Sequence, residues 1–441
     1  MTAVGGQPRA VGESGHAAAV PALPLRRNRD FNLLWSGQAL SDMGTQMSAL
    51  AYPLLVLAFT RSAAQAGIVG SATITGALLT LLPAGVAADK WPRKRIMLLT
   101  SVVQMIAGAT VVPVIITHHV YLAHLAAVGF IQGAALALYT GAARGALRRL
   151  VPAEQMPDAF ARIQARDRAA VMLGPPAGAA LYSIAPYLPF AADALSFGAI
   201  TGAAALIRGP VDPEPASEPA EPQPQPQPQG LWHRVMTGMR YVFANPYLRM
   251  VVVWATVVNG VIAGVRLTAI VLAQDMGATT RQIGLLFSIS AACGLVGALF
   301  ARRLIALAGE RRLVQLVSWA FPLCSVGMAA TPTIWLIAIT AGLTGLLIMP
   351  INVVLMSRAA VLTPDHLQAQ MGNAMQLCWL SLSAVTPALF GAITDGIGPR
   401  AMIYLTAGMY LAIAIWMLTR RSMDLLQRKP AATPQESQVP A

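Results

Sequence analysis

Apolar residues run along this chain in stretches of about 20, the length at which a helix rises through the ~30 Å of bilayer hydrocarbon. Short segments rich in glycine, proline, arginine and lysine separate them. Twelve such stretches predict twelve spanning helices, over residues 30–59, 65–88, 95–117, 122–147, 163–185, 187–207, 248–273, 281–301, 312–330, 333–357, 370–394 and 400–419. An even number places both termini on one side of the membrane.

The positions of the 31 Lys and Arg residues set the orientation. Nearly all fall on the side that holds the termini, among them Arg26, Arg27, the Lys90–Arg95 cluster, Arg144, Arg148, Arg149, Arg162, Arg166, Arg168, Arg302 and Arg303. Only Arg61, Arg281 and Arg400 fall opposite, and Arg266 lies inside a span. Cations accumulate on the cytoplasmic side, so both termini are expected there. Residues 1–29 lack the apolar core of a removable signal peptide and read as a disordered cytoplasmic tail, as do residues 420–441.

Between the six-span groups 30–207 and 248–419 lies a segment, 208–247, in which Pro213 to Gln229 alternates proline with Glu, Ala and Gln. That composition favours extended, solvated chain. After it, Trp232, Val235, Met236, Met239, Val242 and Phe243 recur at helical spacing, which predicts an amphipathic helix on the cytoplasmic membrane face, or else a docking helix for a partner protein.

Composition agrees: 56% hydrophobic and 11% charged residues with a mean hydropathy of +0.59 exclude a soluble globular protein. The net charge of +13 would suit nucleic acid, but the cations are dispersed between apolar runs, so membrane orientation explains them and no nucleic acid partner is expected.

Two kinds of pattern carry more. The first is the loop Gly85-Val-Ala-Ala-Asp89-Lys90-Trp-Pro-Arg93-Lys94-Arg95 between the second and third spans. Gly85 suits close helix packing, Asp89 suits a facing helix N-terminus, and Lys90, Arg93 and Lys94 suit the headgroup layer. The second is a repeat: Pro152 recurs as Pro364, Pro175 as Pro387 and Gly85 as Gly297, all at one spacing, although Ala301 replaces the second aspartate. The loop order resembles that of the major facilitator superfamily. The resemblance implies an all-α membrane fold of two pseudo-symmetric six-helix bundles with a substrate cavity between them, and makes Gly85, Asp89, Lys90, Arg93 and Lys94 a cytoplasmic gate.

A second stretch, Gly174-Pro175-Pro176-Ala177-Gly178, looks like the Gly-Pro-x-x-Gly core found in exporting members and implies a kinked helix packed at the interface of the halves. The fourth span keeps Gln132-Gly133, but Gly129 stands where many drug/proton antiporters place an arginine.

Charges inside hydrocarbon cost roughly 2.5–3.5 kcal/mol and persist when paired or facing a cavity, which singles out Asp42, Asp193 and Arg266. Asp42 and Arg266 lie in the first and seventh spans, symmetry mates in this fold, so they are expected to face each other across the cavity as a proton-coupling pair. Asp193 reads as structural. Gln38, Asn259 and Asn352 are the main uncharged polar candidates.

His118, His119 and His124 cluster without cysteine or carboxylate neighbours, and Cys293, Cys324 and Cys378 are widely separated, so neither set predicts a metal site or a disulfide. No phosphate-binding loop or hydrolase motif occurs; no cofactor and no enzymatic activity are expected. On Arg29-Asp-Phe31-x3-Trp35-Ser-Gly37-Gln38, the loop motif, Gly174-Pro175 and the Leu150-Val-Pro-Ala-Glu154 segment, residues 28–419 resemble the enterobactin-exporter and macrolide-efflux group. That implies proton-driven export of an amphipathic siderophore, drug or secondary metabolite across a bacterial inner membrane by a monomer. A proton-coupled importer is the alternative, and a transport-inactive receptor the less favoured one.

Overall fold

The computed structural model describes residues 24–212 and 231–419. Thirteen α-helices occupy them: α1 Arg29–Thr60, α2 Ala63–Lys90, α3 Arg93–Ile116, α4 Leu122–Leu150, α5 Met156–Ile184, α6 Leu188–Leu206, α7 Leu231–Ala244, α8 Pro246–Asp275, α9 Thr280–Ala308, α10 Glu310–Ala330, α11 Ile334–Leu362, α12 Asp365–Ile397 and α13 Pro399–Met417. Eleven are long and apolar enough to cross a membrane. The exceptions are short α7 and α5, whose 29 residues match α4 in length but carry Asp158, Arg162, Arg166, Asp167 and Arg168 in their first half. Packed against α1 and α9, α5 stands in the bundle as a twelfth member.

Several helices run past their apolar stretches, because backbone hydrogen bonding continues where the side chains turn polar. Thus α5 begins at Met156 instead of 163, and α12 at Asp365 instead of 370. Local chemistry sets the ends. Asn28 and Asn245 accept from the first-turn amides of α1 and α8, and Thr279 with Gln282 forms a capping box on α9. Gly398 takes a φ of 85° where α12 turns into α13, a conformation that a side chain would resist.

Helices α1–α6 pack mainly on one another, as do α8–α13; between these groups the main contacts are α2 with α12 and α5 with α9. These two pairs are the repeat's counterparts, since the spacing that relates Pro175 to Pro387 relates α5 to α12 and α2 to α9.

At the end of the bundle far from the termini the groups share one buried cluster, in which Leu54, Leu57 and Phe190 meet Leu267, Ile270 and Ile283. Toward the terminal end the clusters separate: one is built only from the first group around Met97, Tyr139 and Phe197, another only from the second around Val251, Val314 and Leu355. The bundle is therefore sealed at the far end and parted at the terminal end.

Two sequence expectations change. Helix α7 does not simply lie on a membrane face. It docks on the second group, with Val242 fully buried, Tyr241 Oη donating to Leu362 O at 2.9 Å and Met239 against Cys378. An apolar stripe fits a neighbouring helix as well as lipid, and here α12 supplies the partner. The end of the expected N-terminal tail is also ordered: Leu25–Arg27 forms a 3-10 turn, and Leu25 is buried with Phe31, Leu147 and Ala159. The rest of that tail, Pro213 to Gln229, and residues 420–441 lie outside the described residues.

Candidate transport site

Three chambers open along the middle of the bundle. The first, about 400 Å³, lies within α1–α6 and is walled by Gln38, Asp42, Tyr139, Arg144 and Arg166. The second, about 270 Å³, is walled by Thr45, Ser48, Tyr52, Gln132, Asp193 and Arg266. The third, about 420 Å³, belongs mostly to α8–α13 and includes Asn259, Arg266, Phe287 and Asn352. Thr45 and Gln104 stand between the first two, and Arg266 between the last two.

Asp42 does not meet Arg266, because the two open onto different chambers. The carboxylate instead lies 3.0 Å from Nε of Arg166, whose side chain is 8% exposed against 33% for Asp42. This is an ion pair without hydrogen-bond alignment, since the Nε and Nη2 protons point to Asp167 Oδ1 and Nη1 donates to Gln38 Oε1 at 2.6 Å. The sequence reading placed Arg166 among the topological cations although it falls inside the fifth span. Its helical face turns it inward instead.

Asp193 is brought to α1 by Gly44, where a Cβ would lie 2.9 Å from Asp193 Cα. So close an approach lets Ser48 Oγ donate to Asp193 Oδ2 at 2.7 Å, with Thr45 Oγ1 3.5 Å from Oδ1. Asp193 is buried and borders the second chamber. Beside it Tyr52 Oη donates to Gln132 Oε1 at 3.2 Å. An arginine in place of Gly129 would require Thr73 of α2 to shift, because a Cβ there would lie 2.6 Å from Thr73 Oγ1.

Arg266 meets the face of Phe287 at 5.1 Å, and Asn259 Nδ2 donates back to Ala255 O while the residue borders the third chamber.

The loop after α2 is split in its duties. Arg93 ties three helix ends together, donating to Ala88 O of α2, Gly145 O of α4 and Val211 O beyond α6. Lys94 Nζ donates to Ala205 O and Ile207 O at the end of α6. Cations there complement the partial negative charge of helix C-termini. Asp89 and Lys90 are exposed, and a Cβ on Gly85 would meet nothing within 4 Å, contrary to a packing role in this state. Gly85 and Asp89 share a cleft with Gly141, Arg144 and Arg148 of α4, a helix of the same group. Gly297, the repeat counterpart, keeps close contact with Leu346 O.

Gly174 and Gly178 pack α5 on Gln46 and Met47 of α1, inside one group, while Pro175, Pro176 and Ala179 face Gly284 of α9 across the seam. The interface duty thus falls to the prolines and not to the glycines. Gly178→Val should destabilise the fold by ~1–3 kcal/mol, because a Cβ would lie 2.6 Å from Met47 O. Gly202→Ala, where nothing lies within 4 Å, is the neutral control in thermal unfolding of purified protein; equal melting of both would refute the close-packing account.

The far seal contains a residue that the sequence reading passed over. Asp395, near the end of α12, accepts from Ser62 Oγ at 2.7 Å and from the Ala63 and Ala64 amides at 2.7 and 3.0 Å. It caps the N-terminus of α2 from the other group. Its repeat counterpart, Ser183, accepts from Arg281 Nε at 3.2 Å at the start of α9.

Two six-helix groups, parted at one end around chambers and clasped at the other, define the architecture of a membrane transporter. The family description of the Major Facilitator Superfamily matches residues 34–267 and 255–439, and the chain belongs to that family. Among curated proteins it is similar to the multidrug efflux pump Tap of Mycobacterium tuberculosis and of Mycobacterium bovis, 26% identical over 88% of this chain and 93% of the relative. Its fold is similar to that of the nucleoside transporter NupG (TM-score 0.71, 13% identity, 91% of this chain and 100% of that one). It is also similar to a bacterial homologue of the iron transporter ferroportin in its inward-facing state (TM-score 0.68, 13% identity, 91% and 99%).

Proposed function

We propose that the chain is a proton-coupled exporter of an amphipathic organic compound, such as a drug, siderophore or secondary metabolite. It would act as a monomer in a bacterial inner membrane with both termini cytoplasmic. The observation that carries this reading is a pair of carboxylates, Asp42 and Asp193, set in adjoining chambers whose shared wall includes Thr45. A carboxylate inside a membrane protein that faces a cavity is suited to take up and release a proton. The arginine-rich terminal end is the parted one, so by the distribution of cations the chambers face the cytoplasm in this state. The similarity to an efflux pump favours export. The six-helix groups 30–207 and 248–419 act as the two moving bodies.

On this reading Asp42 couples through Arg166, not Arg266. Cargo and proton compete for the inward-facing chambers, and closure of the terminal end brings Asp89 to a helix N-terminus of the second group while Asp395 lets go of α2. Everted membrane vesicles with an imposed proton gradient test the proposal, with radiolabelled cholate, its uncharged methyl ester and a quaternary-ammonium cholyl amide as the transported probes. Accumulation inside everted vesicles, abolished by a protonophore, is expected; accumulation only in right-side-out vesicles would mean import. Reporter fusions at Arg61 and His119 should read periplasmic and one at Trp91 cytoplasmic, and one clear reversal would break the orientation.

A further inference from the structure

The third chamber has an uneven charge. Two of its wall residues, Arg168 and Arg266, are cationic and none is acidic. Arg168 Nη2 reaches Met349 Sδ at 3.7 Å, and Arg266 has the Phe287 ring at 5.1 Å. Among the described residues neither guanidinium has a carboxylate within ion-pair distance. Asp193 borders the neighbouring chamber, but its oxygens take the hydroxyls of Ser48 and Thr45, and Asp42 is committed to Arg166.

An unpaired arginine in the membrane interior is costly to insert and is kept where it meets water, a counter-charge or a ligand. Arg266 is exposed, and its exposure is directed into the second and third chambers. The ring of Phe287 holds one guanidinium face, which leaves the planar fork of donors free for two parallel bonds to an oxyanion. The rest of the wall is mainly apolar, with Ile262, Ile348 and Met328, and its neutral polar groups include Gln46, Asn259, Ser290 and Asn352. At about 420 Å³ the chamber lies within the range of small-molecule sites.

We propose that this chamber binds an organic anion, a carboxylate, sulfonate, phosphonate or phenolate on an apolar body, whose charged end is held by Arg266 and steered by Arg168. The inference rests on the transporter reading and adds the sign of the cargo's charge. It also explains a division of labour: the cation that the sequence pattern pairs with Asp42 is left free for cargo, while Arg166 serves the carboxylate.

The test uses the full chain in nanodiscs of zwitterionic lipid and three probes with one steroid body: cholate, its uncharged methyl ester, and a cholyl amide bearing a quaternary ammonium. Binding is read by calorimetry without any gradient. Cholate should bind at least tenfold more tightly than the other two. Arg266→Gln should erase that preference and Arg266→Lys retain part of it, with unchanged size-exclusion profiles and helical content. Equal or tighter binding of the ester or the cation, binding of none of the probes, or an Arg266→Gln variant that keeps the preference would overturn the proposal. Transport of the same probes into everted vesicles separates the two readings. Cholate binding without gradient-driven transport sinks the exporter and leaves the anion site, whereas gradient-driven transport of the cation alone does the reverse.

Discussion

Asp42→Asn is expected to abolish gradient-driven accumulation while leaving binding and downhill exchange of substrate measurable. The amide keeps the size and an acceptor oxygen of the side chain but cannot exchange a proton, so the cavity survives and the coupling does not. Stability should change little. Arg166, the partner at 3.0 Å, retains Asp167 at 2.8 Å and Gln38 at 2.6 Å, so no charge is stranded. Arg166→Gln is the harsher change, because it removes the cation from both carboxylates and leaves them near each other; with Asp42 33% and Asp167 44% exposed, solvent screening keeps the cost well below the ~3–5 kcal/mol of a fully buried pair. Transport by both variants in proteoliposomes, at a fixed proton gradient and with the steroid probe that the wild type concentrates, gives the result. If Asp42→Asn still concentrates that probe, coupling does not run through Asp42, and Asp193→Asn becomes the next variant to measure.

Asp395→Ala should open the far end. Three hydrogen bonds to an ionised carboxylate hold the start of α2 against α12 in this state, and alternating exposure requires that all three break. Bonds to charged groups contribute ~1.5–3 kcal/mol each at most, reduced here because the site can be rehydrated when it opens. A shift of ~1–3 kcal/mol moves the population by roughly 5- to 150-fold. Distances between spin labels at Arg61 and Gly396 should lengthen in the variant, with slower transport because the inward-facing state is rarer. An unchanged distance distribution would mean that the apolar cluster of Leu54, Phe190, Ile270 and Ile283 alone holds the seal.

Much of the architecture was legible because it follows from one-dimensional regularities. Length and apolarity mark each span, and the spacing from Pro175 to Pro387 anticipates that α2 meets α12 as α9 meets α5. What escaped the sequence depends on rotation about helix axes. Arg166 could point to water or to Asp42 with equal propriety until the face of α5 is known. Asp395 was hidden for a different reason: it stands beyond the last apolar residue of its span, just before Gly398-Pro399, where a carboxylate looks like part of a turn. Its counterpart Ser183 was the available clue, but a serine against an aspartate gives no match in a repeat. Asp193 was read by its distance from the end of α6, whereas Gly44 decides what it touches.

The seam at the far end also bears on how mutational surveys of this chain are to be interpreted. Its close approaches are made by glycines: Gly67 lies against the backbone at Pro387 O, Gly391 against the backbone at Ala63 O, and Gly284 against Ala179 Cβ and Pro175 O. An alanine scan subtracts side chains and scores what is lost, but at these positions there is no side chain to subtract. Alanine would be an addition there, and its effect would be recorded as an intolerance to bulk rather than as a missing contact. Those glycine positions of the seam are therefore ones that deletion cannot map, and graded enlargement, from alanine to valine to leucine, would draw their outline.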